Sequence, residues 1–320
     1  MPILESSYPG PPFWQWNGHW QTIAPALTQV SSNYQRERLE LEDGDFLDLD
    51  WYRHNSSNQL LLLTHGLEGS SDRPYILRMA HYFYQRGWDV LAWNCRSCRG
   101  EMNRNFRLYH HGEIEDIGRV INHALASKSY PQMSLIGFSM GGAMSLKYMG
   151  VNGADVPAAI DSVMAFSTPC DLGASAAALE WPQNWFYKRR FLKSLSNKMR
   201  ALDQLHPGRL PIHKLKEVKK WRDFDDWFTT VLSGISSADE FYEMASAQHY
   251  MPGIQRRTLL VNAVNDPILP QDCTPYELCA EHPLISLEAP QQGGHVGYSL
   301  PKKPNGWMLE RAWHFANATQ

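Results

Sequence analysis

The sequence has no window close to the roughly 18 apolar residues that a membrane span requires, so we expect no transmembrane segment. The first ten residues, M-P-I-L-E-S-S-Y-P-G, have neither the basic start nor the long apolar run of a signal peptide. Only five cysteines occur, and they are odd in number and scattered, as expected for a reducing compartment. These absences predict a cytoplasmic protein.

Two further kinds of ligand are not indicated by the composition. The net charge of −3 is too small by itself to predict binding to nucleic acid or to a membrane. Cys95 and Cys98 form a single C-x-x-C, but no second cysteine pair or nearby Cys/His set completes a zinc site. We therefore predict no metal, no cofactor and no nucleic-acid partner. The oligomeric state is not indicated by the sequence.

The sequence does contain an alternation of buried strands and amphipathic helices, which begins at residue 59. Short apolar strands separated by helices are typical of a parallel sheet that is covered on both faces. The parallel strands are predicted at 59–64, 88–93, 133–138, 160–166, 258–263 and 284–289, with helices at 74–86, 113–127, 140–149, 275–281 and 306–317. Before them, an antiparallel hairpin alternates with period two around an E-D-G-D turn. The sequence thus predicts an α/β fold with an eight-stranded, mostly parallel sheet.

Two stretches depart from this alternation. Residues 9–25 are rich in proline and tryptophan, which predicts an ordered arm on the surface rather than a helix. The interval between the sixth and seventh strands has helical texture and no clear strand, so we predict a helical insertion at 173–252. The core is then formed by 1–172 and 253–320. Because parallel sheets bind ligands at the carboxyl edge, where this insertion would lie, we predict that it is a lid.

A candidate nucleophile lies in the stretch Gly137-Phe138-Ser139-Met140-Gly141, which fits G-x-S-x-G between a predicted strand and a predicted helix. That context is the one a nucleophile elbow requires, because the glycines permit a tight strand-to-helix turn that exposes the serine. The helix that follows would offer backbone N–H groups and the positive end of its dipole. The pattern therefore predicts Ser139 as a catalytic nucleophile.

A serine nucleophile needs a neighbouring base that is itself oriented by an acid. Asp266 follows the strand T-L-L-V-N-A-V, and His295 follows the next strand in Q-G-G-H-V-G, so both loops open on the edge where Ser139 lies. We predict Asp266 as the acid and His295 as the base. Asp171, after the preceding strand, is the rival acid, and Asp272 is a weaker one.

An acyl-transfer site also needs hydrogen-bond donors for the oxyanion that develops in the reaction. The stretch L-L-T-H-G-L-E-G runs from a buried strand into a glycine-bearing loop. This predicts that the backbone N–H groups of Leu67 and Met140 form the oxyanion hole. We interpret His65, in the same loop, as a brace for the loop rather than as a second base.

Taken in order, several blocks of the sequence resemble the YheT-like branch of the α/β-hydrolases, the fourth AB-hydrolase family. The blocks are W-N-G-H-W-Q-T-I, H-G-L-E-G-S-S, G-E-M-N-R with L-Y-H-H-G-E-I-E-D, G-F-S-M-G-G, N-D-P and G-G-H-V-G-Y. The resemblance implies an α/β-hydrolase fold with a helical lid after the sixth strand, and a Ser-Asp-His triad at 139, 266 and 295. It also implies esterase-type activity on acyl substrates, which some relatives direct to short or medium chains and others to phospholipids.

The predicted insertion combines aromatic residues with an uneven charge. Lys188 to Arg222 contains twelve Lys and Arg against two acids, whereas Asp223 to Tyr250 contains six acids and no Lys or Arg. We interpret the basic run as a solvated face that the acidic half neutralises, with peripheral contact to an anionic lipid surface as the alternative. The substrate-binding residues predicted beside the run are Trp185, Phe186 and Tyr187.

The function predicted from these features is a serine carboxylic-ester hydrolase that works through an acyl-enzyme on a small acyl ester or a lipid. An acyltransferase or thioesterase would use the same triad, because the outcome depends on which acceptor reaches the acyl-enzyme. A binding protein that kept the fold and lost catalysis is the alternative from another class, and the complete set of catalytic candidates argues against it.

Overall fold

The computed structural model describes residues 3–318, so the outermost two residues at each end of the predicted core lie outside the described residues. Its centre is one mixed sheet. The strands are β1 Ile3–Leu4, β2 Gln35–Glu40, β3 Phe46–Tyr52, β4 Gln59–Thr64, β5 Asp89–Asn94, β6 Gln132–Phe138, β7 Ile160–Phe166, β8 Arg257–Val261 and β9 Ile285–Glu288. They lie in the order β1-β9-β8-β7-β6-β4-β5-β3-β2. The β2–β3 and β3–β5 pairs are antiparallel and the other neighbouring pairs are parallel.

The helices fill the connections between these strands. They are α1 Gly18–Leu27, α2 Pro74–Tyr84, α3 Glu115–Ser127, α4 Met140–Asn152, α5 Leu172–Ala178, α6 Trp185–Leu205, α7 Trp221–Phe224, α8 Thr230–Ser233, α9 Ala238–Ala245, α10 Tyr276–Glu281 and α11 Gly306–Ala316. A π-helical turn, Asp225–Thr229, joins α7 to α8. The alternation predicted from the sequence is therefore observed, with shifts of a few residues at the ends of elements.

Two features at the N-terminus differ from the prediction. Within the described residues, the sheet has nine strands rather than eight, because Ile3 and Leu4 pair in parallel with the outer edge of β9. A strand of two residues is too short to show the alternation of side chains by which strands are predicted from sequence. Part of the stretch predicted as an arm forms α1, whose first turn is capped by the Asn17 side chain accepting from the N–H of Trp20 at 2.9 Å. Pro25 lies inside this helix and has no N–H to donate to the carbonyl of Gln21, four residues earlier.

The leucines of β4 show how the sheet separates two cores. Leu60 and Leu62 pack into one hydrophobic cluster and Leu61 and Leu63 into another, since successive side chains of a strand point to opposite faces. All four are fully buried. Burying a leucine contributes about 1.5–3 kcal/mol relative to leaving it exposed, so this strand anchors the sheet between its two helical layers.

The predicted insertion, 173–252, is helical, and no strand occurs in it within the described part of the chain. It has a hydrophobic cluster of its own, to which the loops after β5 and β8 contribute Leu108 and Ile268. Those loops follow the carboxyl ends of their strands. The insertion therefore packs over the edge of the sheet on which Ser139, Asp266 and His295 follow their strands.

Candidate active site

Ser139 occupies the sharp turn between β6 and α4. Its backbone has φ 54° and ψ −121°, a strained conformation for a residue with a side chain. The flanking glycines leave room for the turn: a Cβ on Gly137 would lie 2.2 Å from the carbonyl oxygen of Gly141, and one on Gly141 would lie 2.3 Å from that of Thr64. The geometry is that of a nucleophile elbow, which agrees with the predicted setting of Ser139.

Asp266 and His295 follow β8 and β9, and the structure brings them together. His295 Nδ1 lies 2.8 Å from Asp266 Oδ2, and the other carboxylate oxygen accepts from the N–H of Ile268 at 3.0 Å. The Asp266 side chain is buried, whereas that of His295 is partly exposed. An Nδ1–H donated to a carboxylate leaves Nε2 as the ring nitrogen that can take a proton.

The rival acids lie elsewhere. Asp171 caps the start of α5, where its Oδ1 accepts from the N–H of Ala174 at 2.9 Å. Asp272 lies in a short 3-10 turn, Gln271–Cys273. Within residues 3–318, neither of these carboxylates is hydrogen-bonded to His295. Asp266 is thus the acid that the geometry pairs with His295.

Ser139 and His295 line one cavity of about 350 Å³ beneath the insertion, together with Phe186 and Tyr187. In the described residues, the Ser139 hydroxyl makes no hydrogen bond to His295. Catalytic hydrogen bonds in ligand-free sites are often long and shorten only when substrate binds. Trp185 is placed differently from its two neighbours, because its side chain is 58% exposed and lines an adjoining surface cleft but not the cavity itself. The structure therefore brings two of the three predicted substrate-binding aromatics to the cavity.

The loop after β4 lies directly against the serine, since a Cβ on Gly66 would lie 3.1 Å from Ser139 Cβ. The N–H groups on either side of Leu67 are occupied: Gly66 donates to the Tyr75 hydroxyl and Glu68 to the Tyr109 hydroxyl, each at 3.1 Å. Among residues 3–318, the N–H groups of Leu67 and Met140 donate no hydrogen bond. These two donors are therefore available to a ligand, and their role as the oxyanion hole stays a prediction.

His65 is buried behind this loop and serves as its brace, which confirms the interpretation made from the sequence. Its Nδ1 lies 2.8 Å from the carbonyl oxygen of Gly66, and its Nε2 accepts from the N–H of Cys95 at 3.1 Å. Burial lowers the pKa of His65 to about 4. The ring is therefore neutral near pH 7, with its proton on Nδ1.

Helix α1 holds the acid and base loops together, a role that the sequence analysis missed. Gln21 Oε1 accepts from Asn265 Nδ2 and from the N–H of Gly293, each at 2.8 Å. Thr22 Oγ1 accepts from the N–H of His295 at 2.8 Å. Both residues belong to the block W-N-G-H-W-Q-T-I, and the place of this block in the family resemblance is the available signal.

A second missed contact joins the insertion to the oxyanion loop. Lys198 Nζ, on α6, lies 2.7 Å from Glu68 Oε1, and the hydroxyls of Ser194 and Tyr109 also donate to this carboxylate. Burial alone would raise the pKa of Glu68, but Lys198 and the hydroxyl donors outweigh it and hold the pKa below its usual value. Glu68 is therefore a carboxylate anion that is held by Lys198 and Ser194 of the insertion and by Tyr109 of the core.

Comparison with known proteins agrees with this geometry. The family model described as alpha/beta hydrolase fold matches residues 59–300, so the chain belongs to the α/β-hydrolase family. Within that family, the protein named "Putative esterase YheT" of Escherichia coli is 33% identical, over 92% of this chain and 88% of its own. Human "Phospholipase ABHD3" is 29% identical, over 93% of this chain and 75% of its own. The predicted YheT-like branch is confirmed.

Solved structures agree on the fold. A Pyrococcus furiosus esterase, Pf2001, superposes with a TM-score of 0.58 at 18% identity, over 90% of this chain and 95% of its own. The α/β-hydrolase GrgF of Penicillium gives 0.59 at 15% identity, over 89% and 98%. Within residues 3–318, no helix is both long and apolar enough to span a bilayer. The same residues contain no group of three or more His, Cys, Asp or Glu side chains arranged to hold a metal ion.

Proposed function

We propose that this hydrolase cleaves carboxylic esters through an acyl-enzyme on Ser139, with His295 as base and Asp266 as the acid that orients it. The observation that carries the proposal is the 2.8 Å contact between Asp266 and His295, in a cavity that His295 shares with the serine of the elbow. The esterase and phospholipase relatives support the same class of reaction. The class agrees with the one predicted from the sequence.

In the first half of the reaction, Ser139 Oγ attacks the ester carbonyl carbon while His295 Nε2 takes the hydroxyl proton. The carbonyl oxygen becomes an oxyanion and accepts hydrogen bonds from the N–H groups of Leu67 and Met140. When the carbon–oxygen bond to the alcohol breaks, His295 returns the proton to the leaving alkoxide. Ser139 is left acylated, and the alcohol departs.

In the second half, a water molecule gives a proton to His295 as its oxygen attacks the acyl carbon. The same two N–H groups stabilise the second oxyanion, and the carboxylic acid leaves as Ser139 regains its proton. Asp266 stays ionised throughout, because its task is to hold the ring and stabilise the imidazolium.

The substrate in this proposal is an acyl ester whose chain lies in the cavity against Phe186 and Tyr187. The insertion, 173–252, then acts as the predicted lid, since it supplies Phe186, Tyr187, Arg190, Phe191 and Ser194 to a cavity whose other lining residues come from the core. A lipid ester fits the mainly apolar residues of the cavity. The name of the phospholipase relative points in the same direction.

A fluorophosphonate probe tests the proposal, because it labels an activated serine in the resting enzyme. We expect the probe to label the wild type and to abolish hydrolysis of p-nitrophenyl esters from acetate to palmitate. Ser139→Ala should lose both labelling and turnover, while Ser56→Ala, at an exposed serine on the opposite end of β4, should keep both. A folded Ser139→Ala protein that is still labelled would overturn the assignment.

A further inference from the structure

The exposed aromatic side chains of this chain are concentrated beside the active site. Six tryptophan and phenylalanine side chains are exposed among residues 3–318, and all of them lie in two segments, 13–20 and 181–185. They are Phe13, Trp14, Trp16, Trp20, Trp181 and Trp185. An exposed aromatic cluster of this kind marks an interaction surface rather than ordinary surface composition.

Although the two segments are far apart in sequence, the fold joins them. His19, on α1, stacks on Tyr187 with ring centroids 5.8 Å apart and also contacts Phe186. On either side of this junction, Trp16 packs against Trp20 at 5.6 Å, and Trp185 packs against Phe186 at 6.3 Å. The first turn of α1 and the first turn of α6 therefore form one continuous aromatic face.

The charge on this face is mainly positive. Residues 6–34 contain no charged side chain of the Asp, Glu, Lys or Arg types, and residues 181–202 contain cations but no acid. The cations are Lys188, Arg189, Arg190, Lys193, Lys198 and Arg200, of which Lys188 pairs with Glu180 and Lys198 with Glu68. Arg189 and Lys193 line the surface cleft that also contains Trp185.

These cations are not neutralised in the way the sequence analysis expected. The acidic half of the insertion forms ion pairs with Arg222 alone from the basic run, through Asp226 and Asp239. Within the described residues, Arg189, Arg190 and Lys193 form no ion pair with any carboxylate. Their charge is therefore available to an anionic surface.

The cavity that contains Ser139 opens at this same face. Leu27, at the end of α1, is 71% exposed and lines the cavity, and Arg190 and Phe186 line it from α6. We propose that the α1–α6 face, defined by Trp16, Trp20, Trp185, Arg189 and Lys193, docks the enzyme on an anionic lipid bilayer. Docking places the mouth of the cavity against the membrane.

A bilayer fits this face better than a protein partner does, for two reasons. Tryptophan side chains are enriched at membrane–water interfaces, where one end of the ring is apolar and the other is wet. Beside them, several cations without acids match a surface that is uniformly negative, whereas protein interfaces pair both signs of charge across the contact.

Sedimentation with vesicles tests the docking directly, and Ser139→Ala protein is used so that binding is measured without hydrolysis. We expect the protein to bind vesicles of phosphatidylcholine mixed with phosphatidylglycerol and to bind pure phosphatidylcholine much more weakly. Binding should fall as salt is raised, because exposed charges are screened over about 8 Å at physiological ionic strength. Equal binding to both vesicle types, or no binding to either, would overturn the proposal.

Paired variants locate the surface. Each cation near an anionic membrane contributes about fivefold to affinity, so Arg189→Gln with Lys193→Gln should weaken binding by about 30-fold. Arg86→Gln with Lys302→Gln removes the same charge from exposed positions on other elements and should change binding less than about twofold. Equal losses from both pairs would mean that the net charge of the protein, and not this face, determines vesicle binding.

Trp16→Ala with Trp20→Ala tests the apolar part of the face, and we expect at least a tenfold loss of vesicle binding. If the wild type instead forms a dimer in solution that this variant dissociates, the face joins two copies of the chain and the bilayer proposal fails. Because the assay measures binding by a protein without its serine, its failure leaves the proposed hydrolysis untouched. A loss of fluorophosphonate labelling, in turn, leaves the docking result standing.

Discussion

Lys198, on the helix above the active site, holds the carboxylate of Glu68 at 2.7 Å, one residue beyond the proposed oxyanion donor Leu67. The insertion and the oxyanion loop are therefore coupled by a buried ion pair. The position of the Leu67 N–H depends on this contact, since Glu68 has a left-handed backbone, with φ 54°. That conformation persists only where the surroundings enforce it.

Lys198→Met should accordingly lower kcat for p-nitrophenyl acetate by about 10- to 100-fold, less than the 10²–10³ that follows loss of one oxyanion donor. KM should change little, because the contact acts on the transition state. Lys198→Arg should retain most of the activity, and Lys193→Met on the same helix is the matched control. A Lys198→Met enzyme with wild-type kcat would show that the ion pair is only structural.

Asp266→Asn should reduce kcat by about 10⁴, the usual cost of losing the acid that orients the histidine. Asp171→Asn should leave kcat nearly unchanged and keep the cap of α5, because asparagine caps a helix about as well as aspartate. Steady-state kinetics and urea unfolding of both variants check the ranking. The opposite ranking would move the acid to the loop after β7.

Gln21→Ala should lower kcat while leaving KM nearly unchanged, because it leaves the donors of Asn265 and Gly293 unpaired and releases both catalytic loops. An unpaired buried donor costs about 1–3 kcal/mol. Gln292→Ala is the matched control, since it removes only a 3.2 Å contact to the Gln21 amide nitrogen. If both variants have the same kcat, Gln21 does not position the loops.

Phe186→Ala should reduce kcat/KM for long p-nitrophenyl esters and spare acetate, because each methylene that loses its apolar contact costs about 0.8 kcal/mol. Trp185→Ala should leave soluble esters of every length unaffected, since that ring lies outside the cavity. A chain-length series on both variants measures the difference. Equal losses on acetate and palmitate esters would mean that Phe186 supports the structure of the site and does not bind the acyl chain.

His65 should make the stability of the fold depend on pH. Its pKa is lowered to about 4 in the folded state by burial, against about 6.5 when unfolded. As the pH falls, the unfolded state is therefore protonated at a higher pH than the folded state. The stability that neutral His65 contributes is fully present above pH 6.5 and is lost progressively as the pH falls to about 4. The loss is on the order of 3 kcal/mol.

His110 and His111 act in the same direction, because burial lowers their pKa to about 4 and about 3. The contribution of His65 is therefore the difference between wild type and His65→Asn. Urea unfolding at pH 7 and at pH 4 should show a smaller pH effect in the variant. An unchanged pH effect would mean that His65 is not the group responsible.

The features that sequence predicted well are those with local causes. Strand β7 was predicted at its observed limits, Ile160–Phe166, because a buried apolar run bounded by loops has a clear pattern. The turn at Ser139 follows from two glycines without which the backbone would clash. The contact between Asp266 and His295 follows from their positions after consecutive strands, and their roles as acid and base stay predictions. The cytoplasmic location stays a prediction.

The features that were missed depend on distant contacts. Helix α1 is short, contains Pro25 and shows its role only through hydrogen bonds to residues more than 240 positions away. Trp185 and Phe186 are neighbours in sequence and both line the surface cleft, yet a helix turns about 100° per residue, and only Phe186 also lines the cavity with Ser139. No local pattern distinguishes them. The ion pair between Glu68 and Lys198 also has no local pattern, because the two residues lie 130 positions apart in the sequence.

The contacts of Gln21 also set the order in which a working enzyme can arise during synthesis. Its partner Gly293 lies 272 residues downstream. Helix α1 therefore leaves the ribosome long before the loop that contains its hydrogen-bond partners has been synthesised. Closing a loop of that length costs about 5 kcal/mol of chain entropy, which only the finished fold can offset. The nascent N-terminal segment therefore cannot make these contacts until the loop after β9 has been synthesised. Hydrolysis through the proposed triad then requires synthesis to pass His295, so we expect a chain that stops short of this loop to be inactive toward esters.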